Sequence, residues 1–238
     1  MTLKESKGYL VVASKNSNFY SLAINCIESL KDYYPEARVC LVTEESFLDG
    51  REYVADDIIF CGSNKREKLW GMSQSPYDLT MYIDADCEIE HEDIKNVFDE
   101  IDDNDMVFHE LDVRGKGYFA IYNFMADNVK ESYKWCGGVC LYRNKEFMKD
   151  WYELFLKQES GEWIPNMKPW NKLKGFDQTT LWWLLNKSEK YDTIKVGNFK
   201  DNLRWNYYTT YDKSNLQPKE PIIIKHYSNI AEKVKPYA

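Results

Sequence analysis

Asp84 and Asp86 stand one residue apart at the end of an apolar run, Leu79-Thr80-Met81-Tyr82-Ile83, and an apolar stretch resumes soon after them. In an extended segment, residues i and i+2 point the same way. The two carboxylates therefore share a side, and their like charges call for a cation. A hard divalent ion such as Mn²⁺ or Mg²⁺, shared with substrate phosphates, meets that need. The plain alternative is a solvated acidic turn, because Asp-x-Asp often arises by chance. His226, one of three histidines with His91 and His109, closes a late apolar run. A neutral imidazole is a competent third ligand beside two carboxylates, although a histidine satisfied by a strand-end neighbour would read the same way.

These side chains need a scaffold that brings strand ends together. Residues 79–83 read as a buried strand, which puts both aspartates at its C-terminal end, where open α/β sheets bind ligands. Residues 8–13 predict a first strand, residues 14–18 a polar loop rich in helix-capping types, and Tyr20, Ala23, Ile24, Ile27, Leu30 and Tyr34 one face of a helix stopped by Pro35. A second strand over 38–43 completes a βαβ unit and implies a right-handed parallel crossover. No Gly-x-Gly-x-x-Gly follows the first strand, so a dinucleotide fingerprint is absent.

Further along, residues 57–61 read as a short strand and residues 64–72 as a basic helix that either meets phosphates or is simply a solvated face. Residues 90–101 read as an amphipathic helix, and residues 105–109 as another strand. Residues 110–134 carry glycines and aromatics without a period and read as an irregular insertion near the site. Gly137-Gly138 opens a strand over 135–142, where glycine permits close approach of another backbone or a ligand. Asn144 caps a helix with Phe147, Trp151, Leu154 and Phe155 on its buried face, and Asp177-Gln178 starts a later helix. A final strand ends at His226. The segments 163–170 and 205–211 gather Trp and Tyr that could stack a sugar or serve as core.

Composition narrows the class. The 238 residues are 44% hydrophobic and 16% aromatic, enough for one large α/β domain and unlike a disordered chain. A net charge of −8 argues against a nucleic-acid partner. The six cysteines show no C-x-x-C pair and read as reduced, buried thiols of a cytoplasmic protein. The N-terminus reads as neither a signal peptide nor a membrane span.

Tyr82-Ile83-Asp84-Ala85-Asp86, the Gly137-Gly138-Val139 strand, Phe176-Asp177-Gln178 and His226-Tyr227-Ser228-Asn229 followed by Lys235-Pro236-Tyr237 occur in the order seen in GT-A glycosyltransferases. They look most like family 8, the group of glycogenin and bacterial galactosyltransferases. The resemblance implies a single GT-A domain with a central, mostly parallel mixed sheet flanked by helices, its nucleotide-binding part about residues 1–110 and its acceptor side about residues 111–238. It implies Asp84, Asp86 and His226 as ligands of Mn²⁺ or Mg²⁺, with Asp84 also near the donor ribose. Lys235 and Lys68 would contact donor phosphates or sugar, the strand ends at Ala13-Ser14 and Thr43-Glu44 would hold nucleobase and ribose, and Asp177 with Gln178 would flank the reacting sugar.

The implied reaction moves a hexose from a nucleoside diphosphate sugar, UDP-glucose or UDP-galactose, to a hydroxyl acceptor such as a glycan, with retention. Gln178 would then stabilise the cationic sugar centre. An inverting enzyme would need a carboxylate base, Asp177 first and Asp112 behind it. A nucleotidyltransferase is disfavoured by the glycine-free loop after the first strand, and a non-catalytic sugar-binding module is the remaining rival. Three departures stand out: Thr179 replaces the second aspartate of the family's Asp-Gln-Asp, Cys136-Gly137-Gly138 replaces an Asn-Ser-Gly or Asn-Thr-Gly, and the spacer from His226 to Lys235 is long.

Overall fold

A computed structural model describes residues 5–64, 67–110, 135–165, 177–209 and 218–227. Its first βαβ unit is β1 (Lys7–Ala13), α1 (Ser17–Tyr33) and β2 (Val39–Thr43). Asn16 caps α1 by accepting from the Asn18 amide at 2.9 Å. Tyr20, Ala23, Ile24, Ile27 and Leu30 are buried along one face, and burial of each Ile or Leu contributes about 2 kcal/mol. The helix ends two residues before Pro35, whose ring excludes further helix.

Next come β3 (Asp57–Phe60), α2 (Glu67–Ser73), β4 (Leu79–Asp84), β5 (Cys87–Ile89), a 3₁₀ helix (Glu92–Ile101), β6 (Met106–Glu110) and β7 (Trp135–Tyr142). The helix expected over 90–101 is thus 3₁₀ rather than α. Its apolar residues recur at Ile94, Val97, Phe98 and Ile101, and all four are buried; the two spacings of three suit a helix with three residues per turn. Then follow α3 (Lys145–Ser160), capped by Asn144 and ended by Gly161 at φ 88°, α4 (Asp177–Lys187), β8 (Val196–Asn198), α5 (Asn202–Trp205), β9 (Tyr207–Tyr208) and β10 (Ile224–His226).

The main sheet runs β3-β2-β1-β4-β7-β6-β8, with β3, β2, β1 and β4 parallel and β7 antiparallel to both its neighbours. This is the single, mostly parallel mixed α/β sheet expected. One core lies between the sheet, α1 and the 3₁₀ helix, and the other beneath α2, α3 and α4. A second sheet, β5-β10-β9, which the sequence did not suggest, hangs from the end of β4. All six cysteines are free, as read, and five are buried.

Candidate active site

The parallel registers pair Val12 with Asp84 and Ala13 with Thr43, which aligns the C-terminal ends of β1, β2 and β4 along one edge. After Asp84 the chain turns through Ala85-Asp86 into β5, and β5 pairs antiparallel with β10, Cys87 opposite His226. The Tyr227 amide donates to the Asp86 carbonyl at 3.0 Å. This pairing carries His226 back to the two aspartates.

His226 Nε2 lies 3.2 Å from Asp86 Oδ1 and 4.0 Å from Asp84 Oδ2. Its Nδ1 is 2.9 Å from Asn206 Oδ1, an acceptor, so Nδ1 carries the proton and donates. In the neutral ring Nε2 is then an acceptor facing carboxylate oxygens, and only a proton or a cation between them relieves the opposition. Tyr208 stacks on the imidazole, centroids 4.4 Å apart and planes 23° apart, and fixes its tilt. Burial resists ionisation of Asp86, but His226 in its protonated form, through a hydrogen bond from Nε2 and its charge, together with Asp86's own backbone amide and the more distant Lys68, outweighs that and holds the carboxyl below the usual carboxylate range.

Asp84 is oriented from behind by the buried Tyr82 hydroxyl, which donates to Oδ1 at 2.5 Å. Burial, with the Asp84 charge and hydrogen bond next, drives the Tyr82 phenol far above its ordinary range, so it stays a donor. Gly138 of β7 faces the same corner. A Cβ there would lie 2.7 Å from Asp84 Oδ2 and 2.8 Å from His226 Cε1, so the absence of a side chain is what lets carboxylate and imidazole converge. Neighbouring Gly137 makes room for Trp151, whose ring would stand 2.8 Å from a Cβ at 137. What closes on the two glycines is side chains, Trp151 at one and Asp84 with His226 at the other, rather than the neighbouring backbone that the sequence reading allowed for.

Lys68, on α2, extends into the site. Its Nζ is 3.1 Å from Asp177 Oδ2 and 3.5 Å from Asp84 Oδ1. The helix read as basic thus turns one cation inward. Asp177, buried at the start of α4, is held by the Trp151 indole, which donates to its carbonyl at 2.9 Å. Gln178 follows, half-buried. Thr179 points the other way, fully buried, with its hydroxyl bonded to the Gln158 amide at 2.8 and 3.0 Å. The position where the family has its second aspartate therefore serves the core. Cys136 is likewise turned to the Tyr208 hydroxyl, 2.7 Å away.

Ser14, at the end of β1, is half-buried and donates to the Asn64 carbonyl at 3.3 Å. Glu44, just past β2, accepts from the Lys15 amide at 2.5 Å. The Ala13 and Thr43 side chains are fully buried, so at those positions the backbone is what the edge presents. Lys235 and Asp112 lie outside the described residues, as does most of the aromatic stretch 163–170 and the end of 205–211. Trp163 is 60% exposed, whereas Trp205 is core and stacks on Phe199. His109 is buried in β6, its ring 6.1 Å from that of Tyr208, which in turn stacks on His226.

Sequence reasoning missed Tyr82, Asn206, Tyr208 and Cys87 as neighbours of the site. For Tyr82 a signal existed, since i and i+2 in a strand share a side; the others depend on pairing across distant segments.

The chain matches no protein-family model and no curated protein. Its fold matches solved glycosyltransferases. A galactosyltransferase, LgtC, in complex with donor and acceptor sugar analogues is 17% identical over 93% of this chain and 87% of its own, with a TM-score of 0.59. Mouse xyloside xylosyltransferase 1, in its apo form, is 11% identical over 92% and 97%, TM-score 0.59. GlyE of Streptococcus pneumoniae TIGR4 gives 14%, a TM-score of 0.61 and 98% of this chain, which spans 57% of GlyE. At such identities the likeness defines the fold, and the fold is the GT-A glycosyltransferase fold that the motif order implied. Among the described residues no helix is long and apolar enough to cross a membrane.

Proposed function

We propose that this protein is a metal-dependent glycosyltransferase that moves a hexose from a nucleoside diphosphate sugar, UDP-glucose or UDP-galactose, to a hydroxyl acceptor, in the manner of family 8. One observation carries the reading. Carboxylate oxygens of Asp86 and Asp84 lie 3.2 and 4.0 Å from the Nε2 of His226 at the strand edge, backed by Gly138, with Lys68 and Asp177 beside them. The donor set of two carboxylates and one imidazole suits Mn²⁺ or Mg²⁺. When bound, that ion supplies charge stabilisation to the departing diphosphate.

The chain's own residues do the rest. Asp84 and Asp86 orient the donor end, His226 is held in one tautomer by Asn206, and Lys68 brings a second positive charge to where phosphate charge builds. Gln178 lies next to Asp177 at the mouth of α4, and its neutral amide is suited to facing a cationic sugar centre. Asp177 is paired with Lys68. A general base must be free to accept a proton, so this pairing supports retention over the inverting alternative. A glutamine also figures in an active-site variant of LgtC, in which glutamate replaces it. The nucleobase and ribose fit at the ends of β1 and β2 by Ser14 and Thr43, and Lys235 in the C-terminal tail is assigned to the phosphates.

The test is incubation with UDP-glucose or UDP-galactose and Mn²⁺, with free UDP as the readout. UDP release that stops on chelation is expected. Binding without release would make the protein a sugar-binding module, and pyrophosphate release would make it a nucleotidyltransferase.

A further inference from the structure

The residue after the second aspartate is a cysteine, and the β5–β10 register sets it directly across from His226. Cross-strand partners share a face of the ladder, so Cys87 and the imidazole lie side by side beneath the corner. A carboxylate oxygen of Asp86, Cys87 Sγ and a ring nitrogen of His226 all lie within 4.8 Å of one another. Asp86 and His226 already belong to the set assigned to Mn²⁺ or Mg²⁺. The third donor differs: a thiol from the floor of the site stands in for the Asp84 carboxylate at its wall.

We propose that the same corner offers a second, softer site, in which a thiophilic divalent ion such as Zn²⁺ is held by Asp86, Cys87 and His226. One carboxylate, one thiolate and one imidazole are ligand types that zinc takes in four-coordinate sites, a water filling the fourth place. Binding breaks the Cys87 S–H bond and forms an S–metal bond, and the proton leaves to solvent. Cys87 is fully buried, whereas the Asp86 side chain is 19% exposed, so the ion enters over Asp86 and meets the thiol last. Asn206 and Tyr208 already fix the tautomer and tilt of the imidazole. Because Asp86 and His226 serve both sets, the two ions exclude each other, and zinc competes with the catalytic cation. This competition rests on the function proposed above; formation of the thiolate site does not.

Cobalt is the probe, since a thiolate bound to Co²⁺ gives a charge-transfer absorption in the near ultraviolet. Titration of the purified wild type with Co²⁺ is expected to raise this band to saturation at one ion per chain. Cys87→Ser and Cys87→Ala are each expected to abolish it, His226→Gln to weaken it, and Cys136→Ser to retain it, with circular dichroism and melting curves establishing that each variant is folded. No band in the wild type, or a band that survives in folded Cys87 variants, overturns the proposal. Paramagnetic resonance of free Mn²⁺ follows the competition. Zn²⁺ is expected to release bound Mn²⁺ from the wild type, and in Cys87→Ser to need at least about tenfold more to do so. Equal displacement in both overturns the shared-donor arrangement. A protein that shows the cobalt band yet binds no Mn²⁺ would refute the hard-cation site while upholding this one.

Discussion

Two carboxylates that face the same imidazole nitrogen are held there by single atoms that can be altered one at a time. Replacing either Asp84 or Asp86 with Asn keeps the shape and removes a charge from the ligand set proposed for the cation. Charge stabilisation by a bound metal is worth several kcal/mol, and each 1.36 kcal/mol is a factor of ten in rate. Mn²⁺-dependent UDP release is therefore expected to fall by about a hundredfold or more in each variant, with little change in melting temperature; activity retained in both would sink the metal role. Lys68 presents a different case, since it neutralises the buried Asp177. Lys68→Met strands that carboxylate, and breaking a buried pair in this way costs about 3 kcal/mol or more. Urea unfolding is expected to show that loss in Lys68→Met and to show most of it restored in Lys68→Arg.

At the scale of elements, the corner is a junction of strands: the β4–β5 turn brings the aspartates, β10 the histidine, and β7 the gap between them. Gly138→Ala would place a methyl group 2.7 Å from Asp84 Oδ2 and 2.8 Å from His226 Cε1. Since real contacts are never so short, the two groups must part. Mn²⁺ affinity measured by calorimetry is expected to drop by about tenfold to a hundredfold, and unchanged affinity would show that Gly138 is not the spacer. Much of this junction was legible in the sequence. The apolar run into Asp84, the glycine pair and the capping asparagines at 16 and 144 are local signals, and each lies where its chemistry required. What stayed hidden is non-local. Cys87 to Ile89 looks like a continuation of β4, and only pairing with a strand far along the chain turns it into β5. Asn206 and Tyr208 gave no hint that they brace a histidine, because their meaning depends on β9 lying beside β10. Thr179 looked like a missing site residue until α4 packed and pointed it at Gln158.

For the molecule as a whole, His109 links the fold to pH. It is fully buried in β6, its Nδ1 donating to the Asn202 carbonyl at 3.1 Å while Nε2 has no hydrogen-bond partner. Burial, opposed by the Asn202 hydrogen bond and assisted by the charge of His226, pushes its pKa down to about 4 from 6.5. A histidine whose pKa is depressed by folding supports the native state fully above pH 6.5. Below that the unfolded chain takes up a proton that the folded chain refuses, and the support is lost as pH falls toward about 4. At 1.36 kcal/mol per unit the loss is about 3 kcal/mol. Urea unfolding of the wild type is expected to weaken by up to that amount across this window relative to His109→Asn, which retains a donor for the Asn202 carbonyl but does not titrate. Parallel profiles for the two proteins would refute the assignment.

The small sheet that holds His226 ties together stretches made at very different times during synthesis. Its Tyr227 hydroxyl reaches Glu88 across 139 residues of sequence, whereas β1, β2 and β4 can pair as soon as the chain through Asp84 is available. Closing so long a loop comes late, because the entropy is spent before the contacts return it. A nascent chain can thus build its parallel sheet, with both aspartates in place, well before His226, the proposed third ligand, arrives. Metal affinity should accordingly appear in the last phase of refolding, after the bulk of the secondary structure, and the ion itself should act as a clamp on the final strand.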